Sequence, residues 1–332
     1  MEPETHRRAR SDTPYPVRRA VIDIGTNSIK LLVADVAGRD VWPLLEESKQ
    51  TRLGRGFYQT HRLQPEAIAT SAKAVAQFAA AARQWQAASL RVVATSAARD
   101  AVNAGELTAA IELASGLKVE IISGEQEAEW AFQGAVTNPI LAQGPLLLLD
   151  VGGGSTEFIV GQGQHTGAPG VTRPTLFSNS FPIGSVRLME QIPHSEPPKP
   201  EELSACRQWV AEFLRMEVRP KLELAMPRER VQLVGTGGAA SILARMEARL
   251  EGYDRERIEA TRLSLNRLRW HTERLWALSL EERKKIIGLP RNRADVILTG
   301  ATIYEGVMEE FGFIELRIST RGLRFAAVMD GG

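Results

Sequence analysis

Short, mainly apolar runs alternate along the chain with longer stretches whose apolar residues recur every three or four positions. Ala20-Val21-Ile22-Asp23-Ile24 is one such run and predicts a buried strand. A Gly25-Thr26-Asn27-Ser28 turn follows, and Ile29 to Val36 predicts the return strand. Pro65 suits the first position of a helix whose apolar face is Ile68, Val75, Phe78, Ala82 and Trp85. Leu90 to Ala94 and Val119 to Ile122 read as further strands, each followed by a helical stretch. Strands alternating with helices predict α/β layers. Residues 1–16, polar and proline-bearing, read as a disordered tail. Gly161 to Pro174 and Pro193 to Pro200 read as surface excursions.

The most informative pattern is an internal echo. Val21 to Val33 lies without a gap over Leu148 to Val160, so that Asp23 meets Asp150, Gly25 meets Gly152, Ser28 meets Ser155 and Val33 meets Val160. Each copy reads as strand, Asp at the strand end, glycine turn, Ser and return strand. Two copies in one register predict a duplicated half. A third glycine turn, Gly235-Thr236-Gly237-Gly238, follows the strand Val231 to Val234 and opens a helix at Ala239.

Composition narrows the classes. At 332 residues and 36.5 kDa the chain has room for two domains. With 43% hydrophobic and 24% charged residues it is not a disordered chain. Basic and acidic side chains nearly cancel at 41 against 40, so no global field draws in nucleic acid or anionic lipid, and an anionic ligand must be held locally. The apolar runs fall short of a membrane helix, and the arginines near the start are not followed by a secretory apolar segment. A single cysteine, Cys206, excludes an intramolecular disulfide, and the five histidines show no metal-ligand spacing. These features predict a soluble, cytoplasmic protein.

Asp23 and Asp150 end buried strands beside glycine turns, where hard carboxylate oxygens suit Mg²⁺, although aspartates in turns also simply cap them. The N–H groups and hydroxyls of Gly25, Thr26, Asn27, Ser28 and of Gly152, Gly153, Gly154, Ser155, Thr156 are placed to clasp phosphate oxygens. Gly235, Thr236, Gly237 and Gly238, before a helix start, form a further anion site or merely a tight turn. Glu127, in the first turn of a helix opened by Ser123-Gly124-Glu125, is either a base aimed at water or a complement to the helix dipole. Arg99, just past a strand end, can fork onto a phosphate or stay solvated. Neither a Walker A pattern nor a Gly-x-Ser-x-Gly elbow occurs.

Taken together, these segments resemble the exopolyphosphatase/guanosine pentaphosphate phosphohydrolase family, within the superfamily of actin-like proteins, sugar kinases and heat-shock ATPases. The resemblance runs from about Arg18 to about Val328 and rests on residues 21–28, 122–128, 150–157, 182–184, 235–238 and 319–324. It implies an actin-like pair of ribonuclease H-like α/β domains with the active site in the cleft between them. The first domain would span residues 17–138 plus a returning helix at about 322–330, and the second residues 139–321, with the crossover near Asn138 to Gly144. It implies that Glu127, Glu157 and Arg99 act in catalysis, with Asp150 and Glu157 at the metal and water site, where Asp23 joins them.

By the same resemblance the activity is release of terminal phosphate from inorganic polyphosphate or guanosine pentaphosphate by water, helped by Mg²⁺ or another divalent ion such as Mn²⁺. Neither nucleic acid nor membrane is an expected partner, and a homodimer is compatible with the reading. A sugar or acid kinase of the superfamily, or a non-catalytic polyphosphate-binding regulator, would keep the glycine loops. The kinase would have no special need for Asn27-Ser28 or Glu127, and intact Glu127, Asp150 and Glu157 argue against the regulator. Two departures stand out. Phe325-Ala326 follow Gly322-Leu323-Arg324 where many members have Glu-Gly, and the extra helical C-terminal domains of the long forms are not expected.

Overall fold

The computed structural model describes residues 15–162, 175–227 and 229–330. The expected tail falls almost wholly outside the described residues, and so does the 161–174 excursion beyond Gln162. The structure contains two sheets. Strands β1 (Val17–Ile24), β2 (Ser28–Ala37), β3 (Asp40–Gln50), β4 (Ser89–Ala94) and β5 (Glu120–Ile121) build the first, in the order β3-β2-β1-β4-β5. Strands β6 (Pro145–Val151), β7 (Thr156–Gln162), β8 (Phe177–Phe181), β9 (Gln232–Thr236), β10 (Arg262–Ser264) and β11 (Glu315–Ile318) build the second, in the order β10-β11-β9-β6-β7-β8.

Setting β10 aside, the second order is the first read backwards, β8-β7-β6-β9-β11 against β3-β2-β1-β4-β5. Pairing is antiparallel through the opening meander and parallel beyond it in both sheets. The echo in the sequence is therefore an echo in topology: β1/β2 and β6/β7 are equivalent hairpins.

The apolar runs become strands because both faces of the first sheet are covered. Ile22, Ile24, Ile29, Leu31 and Val33 pack under the helix Pro65–Gln84 with Val75 and Phe78. Val21, Leu32, Ala34 and Val93 face the other way, onto Leu323, Phe325, Ala326, Ala327 and Val328 of the helix Leu323–Met329. Phe325, one of the residues that depart from the family pattern, is 1% exposed and lies under Arg255 and Arg321. The helix Gly124–Ala135 lies between the two sheets. Its Trp130 joins the first sheet's core, while Ala128, Ala131, Phe132 and Ala135 pack on Leu146, Leu148 and Ile159 of the second. From there the chain passes through a 3₁₀ turn, Leu141–Gln143, into β6.

Three expectations need adjustment. Pro65 does open its helix, but Trp85 is its C-cap, 39% exposed, because the backbone leaves helical geometry there and the three-to-four periodicity stops. The strand expected over Val119 to Ile122 shrinks to Glu120–Ile121, where β5 runs past only the tip of β4. The Pro193 to Pro200 segment is a loop, but it is tied down: Glu196 accepts from Leu280 N and from Arg283 Nη2.

Candidate active site

The tips of the two equivalent hairpins face each other. Gly25 N donates to Ser28 O at 3.1 Å, and Gly152 N to Ser155 O at 3.0 Å, so both turns close in the same way. A side chain on Gly154 would place its first carbon 2.2 Å from Tyr58 Oη and 2.5 Å from Ser96 Oγ, both on the opposite half. A side chain there would have to displace Tyr58 and Ser96 for the two halves to stay this close.

Further contacts cross the cleft on its rims. Arg52 pairs with Asp295 at 2.7 Å, Arg187 with Asp100 at 3.3 Å, and Gly56 N donates to Glu190 Oε1 at 2.7 Å. Between the tips lies a cavity of about 100 Å³ lined by Asp23, Gly25, Thr26, Asn27, Ser28, Lys30, Glu127, Asp150, Gly152, Gly153, Gly154, Ser155, Glu157, Gly238 and Arg293.

Glu127 reaches this cavity because Ser123 caps its helix. Ser123 Oγ accepts from Gln126 N at 3.1 Å and Ser123 O from Glu127 N at 3.0 Å, which sets the first turn. Glu125 on the same turn is exposed, whereas the Glu127 side chain is only 12% exposed. Arg99 Nη1 donates to Glu127 Oε2 at 2.9 Å and to Ile122 O at 3.2 Å. Among the described residues Glu127 Oε1 has no hydrogen-bond partner. Burial raises the Glu127 pKa well above the carboxylate range; the Glu157 charge adds to this and Arg99 opposes it.

Glu157, 1% exposed, accepts from Ser155 Oγ and Ser180 Oγ at Oε1, both at 2.7 Å. Burial and then the Asp150 charge push its carboxyl up to about 7, against the pull of the two serines. Asp150 is pushed up to about 6 by burial, Lys30 opposing and Asp23 assisting, and burial raises Asp23 as well. Burial also lowers Lys30, with Asp23 opposing. Carboxylates with raised pKa values gathered in one cleft are a functional-site signature.

Not every candidate reaches the cavity. Thr156 is fully buried and its hydroxyl donates to Ile183 O at 2.5 Å, a contact that pins the second turn rather than a ligand. Gly235 lies within β9 under Tyr304, whose ring a side chain there would meet at 2.8 Å. Thr236 and Gly237 line an adjoining cavity, and Arg99 lines a third one on the far side of Glu127. Gly237, at φ +84°, touches Asp150: a side chain would sit 2.4 Å from Oδ1.

Sequence reasoning missed Lys30, Arg293 and Ser180. Lys30 carried a signal, being a charge inside the apolar run Ile29 to Val33. Arg293 donates to Ser28 Oγ at 2.6 Å from a 3₁₀ turn that no local pattern marks.

The donor set fits a divalent ion of one kind. Among the described residues no three Asp, Glu, His or Cys side chains come together closely enough to enclose a metal by themselves. Asp23 and Asp150 nevertheless accept no hydrogen bond among the described residues, and both have raised pKa values. Two free, hard oxygen ligands beside a phosphate cradle suit Mg²⁺, which takes its other ligands from water and substrate.

A family model described as the Ppx/GppA phosphatase family matches residues 32–330. Exopolyphosphatase 2 of Mycobacterium tuberculosis is 36% identical over 305 residues, covering 88% of this chain and 90% of that protein. The crystal structure of the Aquifex aeolicus Ppx/GppA family member matches with a TM-score of 0.75 at 28% identity, over 95% of this chain and 97% of that one. An exopolyphosphatase from Cytophaga hutchinsonii matches with a TM-score of 0.82 at 25% identity, over 95% and 98%. The architecture is thus an actin-like, duplicated two-domain α/β fold, and the chain belongs to the Ppx/GppA phosphatase family.

Proposed function

We propose that this chain is an exopolyphosphatase, releasing terminal orthophosphate from inorganic polyphosphate by water attack. The observation that carries the reading is the buried Glu127 carboxylate, held by Arg99 on one oxygen and open on the other, facing two glycine turns across a phosphate-sized cavity. Thr26, Asn27, Ser28, Gly153, Gly154 and Ser155 hold the terminal phosphate with N–H and hydroxyl donors. Lys30 and Arg293 neutralise its charge. Glu127 Oε1 accepts the proton of the water whose oxygen bonds to phosphorus as the bridging P–O bond breaks. Glu157, fixed by Ser155 and Ser180, positions that water. Asp150 and Asp23 would hold Mg²⁺ or Mn²⁺, with Glu157 beside them, and the ion when bound would supply further charge neutralisation.

We take the catalytic cleft to lie between a first domain of residues 17–138 with the helix Leu323–Met329 and a second of residues 139–321. No helix among the described residues is long and apolar enough to cross a membrane, and the reading is of a cytoplasmic enzyme. Guanosine pentaphosphate is the second substrate to consider, because the adjoining cavity of about 410 Å³ carries Tyr253 on its wall.

Phosphate release from long polyphosphate, tripolyphosphate, guanosine pentaphosphate and ATP, each with and without Mg²⁺, tests the activity. Mg²⁺-dependent release from polyphosphate is expected. ADP formation that depends on an added acceptor would instead identify a kinase.

A further inference from the structure

The cleft continues beyond the terminal-phosphate cavity. The adjoining cavity of about 410 Å³ shares Asp23, Lys30, Asp150 and Arg293 with it and extends along the helix Gly237–Glu247, which adds Ser241 and Arg245. Gly237 lies against Asp150. Arg245 is eight residues farther along the helix, about 12 Å at ~1.5 Å per residue. The path from the hairpin tips to Arg245 is therefore several phosphate groups long.

The cations near this cavity differ in their partners. Arg255 and Arg324 pair with Glu46. Lys30, Arg293 and Arg245 make no ion pair among the described residues. Arg293 bonds only Ser28 Oγ, and Arg245 Nη2 bonds Glu251 O at 3.1 Å. Arg245 Nε is buried without a partner. Arg245 is half-buried, and its Nε is a donor that an anion in the cavity can satisfy. The cavity also carries Asp23, Asp150, Glu46 and Glu47; Asp23 and Asp150 lie at its inner end, and Glu46 is neutralised by Arg324 and Arg255, which leaves Arg245 as the cation along the helix that an interior phosphate can meet.

We propose that Arg245 is a specificity-determining residue, contacting phosphates interior to the polyphosphate chain while the terminal phosphate is at Glu127. The proposal rests on the exopolyphosphatase reading. Arg245 lies several phosphate repeats along the helix from the Asp150 end of the cavity, so the contact is expected to serve long chains and not tripolyphosphate.

Steady-state phosphate release by wild type, Arg245→Gln and Arg245→Lys tests this on long polyphosphate, tripolyphosphate and guanosine pentaphosphate. Arg245→Gln is expected to raise KM for long polyphosphate about tenfold to a hundredfold, the worth of one charge-assisted contact. It should leave kcat and the tripolyphosphate KM unchanged, and Arg245→Lys should recover most of the loss. An unchanged KM for long polyphosphate overturns the assignment, and so does an equal rise for both polymers. Impairment on guanosine pentaphosphate alone also overturns it and gives the cavity to a nucleoside. A wild type that releases phosphate from neither polymer overturns the activity itself, and this assignment with it.

Discussion

Lys30 and Glu157 occupy equivalent positions in the two copies of the hairpin: Lys30 lies across the ladder from Asp23 as Glu157 lies across from Asp150. The two hairpins are equivalent frames, and this position carries opposite charge in each. The lysine turns the first frame toward an anion. The glutamate, held by Ser155 and Ser180, gives the second a buried carboxyl.

Glu127→Gln keeps the shape of the side chain and removes its proton-accepting power. Turnover is expected to fall about a hundred- to ten-thousand-fold, which is roughly 3–5 kcal/mol of barrier. Affinity for polyphosphate should hold or rise, since a negative charge has left the cleft. A rate measurement with a parallel binding titration checks both. Near-normal turnover would leave Glu127 as no more than a partner of its helix dipole.

Glu157→Gln should show a pH signature in stability. Glu157 sits near 7 in the folded chain, above its ordinary value. Between the ordinary carboxylate range and 7 the folded chain holds a proton that the unfolded chain has lost. Stability therefore falls as pH rises through that window, by roughly 3 kcal/mol once complete. Gln retains the acceptor that Ser155 and Ser180 need but never ionises. Metal-free thermal melts should show the variant stabilised at about pH 8 and nearly unchanged at about pH 4. A gain confined to acid would contradict the sign.

Asp150→Asn should weaken the dependence on Mg²⁺, because it removes one of two carboxylates that have no protein partner. The expected result is reduced turnover with a right-shifted Mg²⁺ titration and an intact fold by circular dichroism. An unchanged titration would place the ion elsewhere.

Gly154→Ala should hold the cleft ajar, since the added carbon would fall 2.2 Å from Tyr58 Oη. Misplacing the facing tips by about an ångström is expected to lower turnover about a hundredfold. Melting temperature should change little, because the halves can separate to relieve the clash. Solution scattering should report an enlarged radius. Wild-type turnover would show that the tips need not meet.

Much of the site was legible because it is local: each hairpin carries its own Asp, glycine turn and Ser, and the echo announced two of them. Glu127 was legible as a candidate, but only its burial and the Arg99 contact set it apart from the exposed Glu125 beside it. Arg293 and Ser180 were not legible, since each reaches the site from a segment placed by tertiary packing. Strand β3 hid for another reason. Its outer face is exposed, it contains Pro43, and a register shift opposite Val33/Ala34 breaks the two-residue alternation.

The helix Leu323–Met329 closes one face of the sheet that begins with Val17, and Arg19 donates to the carbonyl of Met329 at 2.8 Å. Its approach is close: a side chain on Gly134 would sit 2.0 Å from Gly322 O. During synthesis, then, β1 and β2 leave the ribosome long before the helix Leu323–Met329 has been made, and Val21, Leu32 and Ala34 lack that part of their cover in the meantime. One face of the first half is therefore completed by a segment that follows the whole second half in the chain, which couples the packing of the two halves.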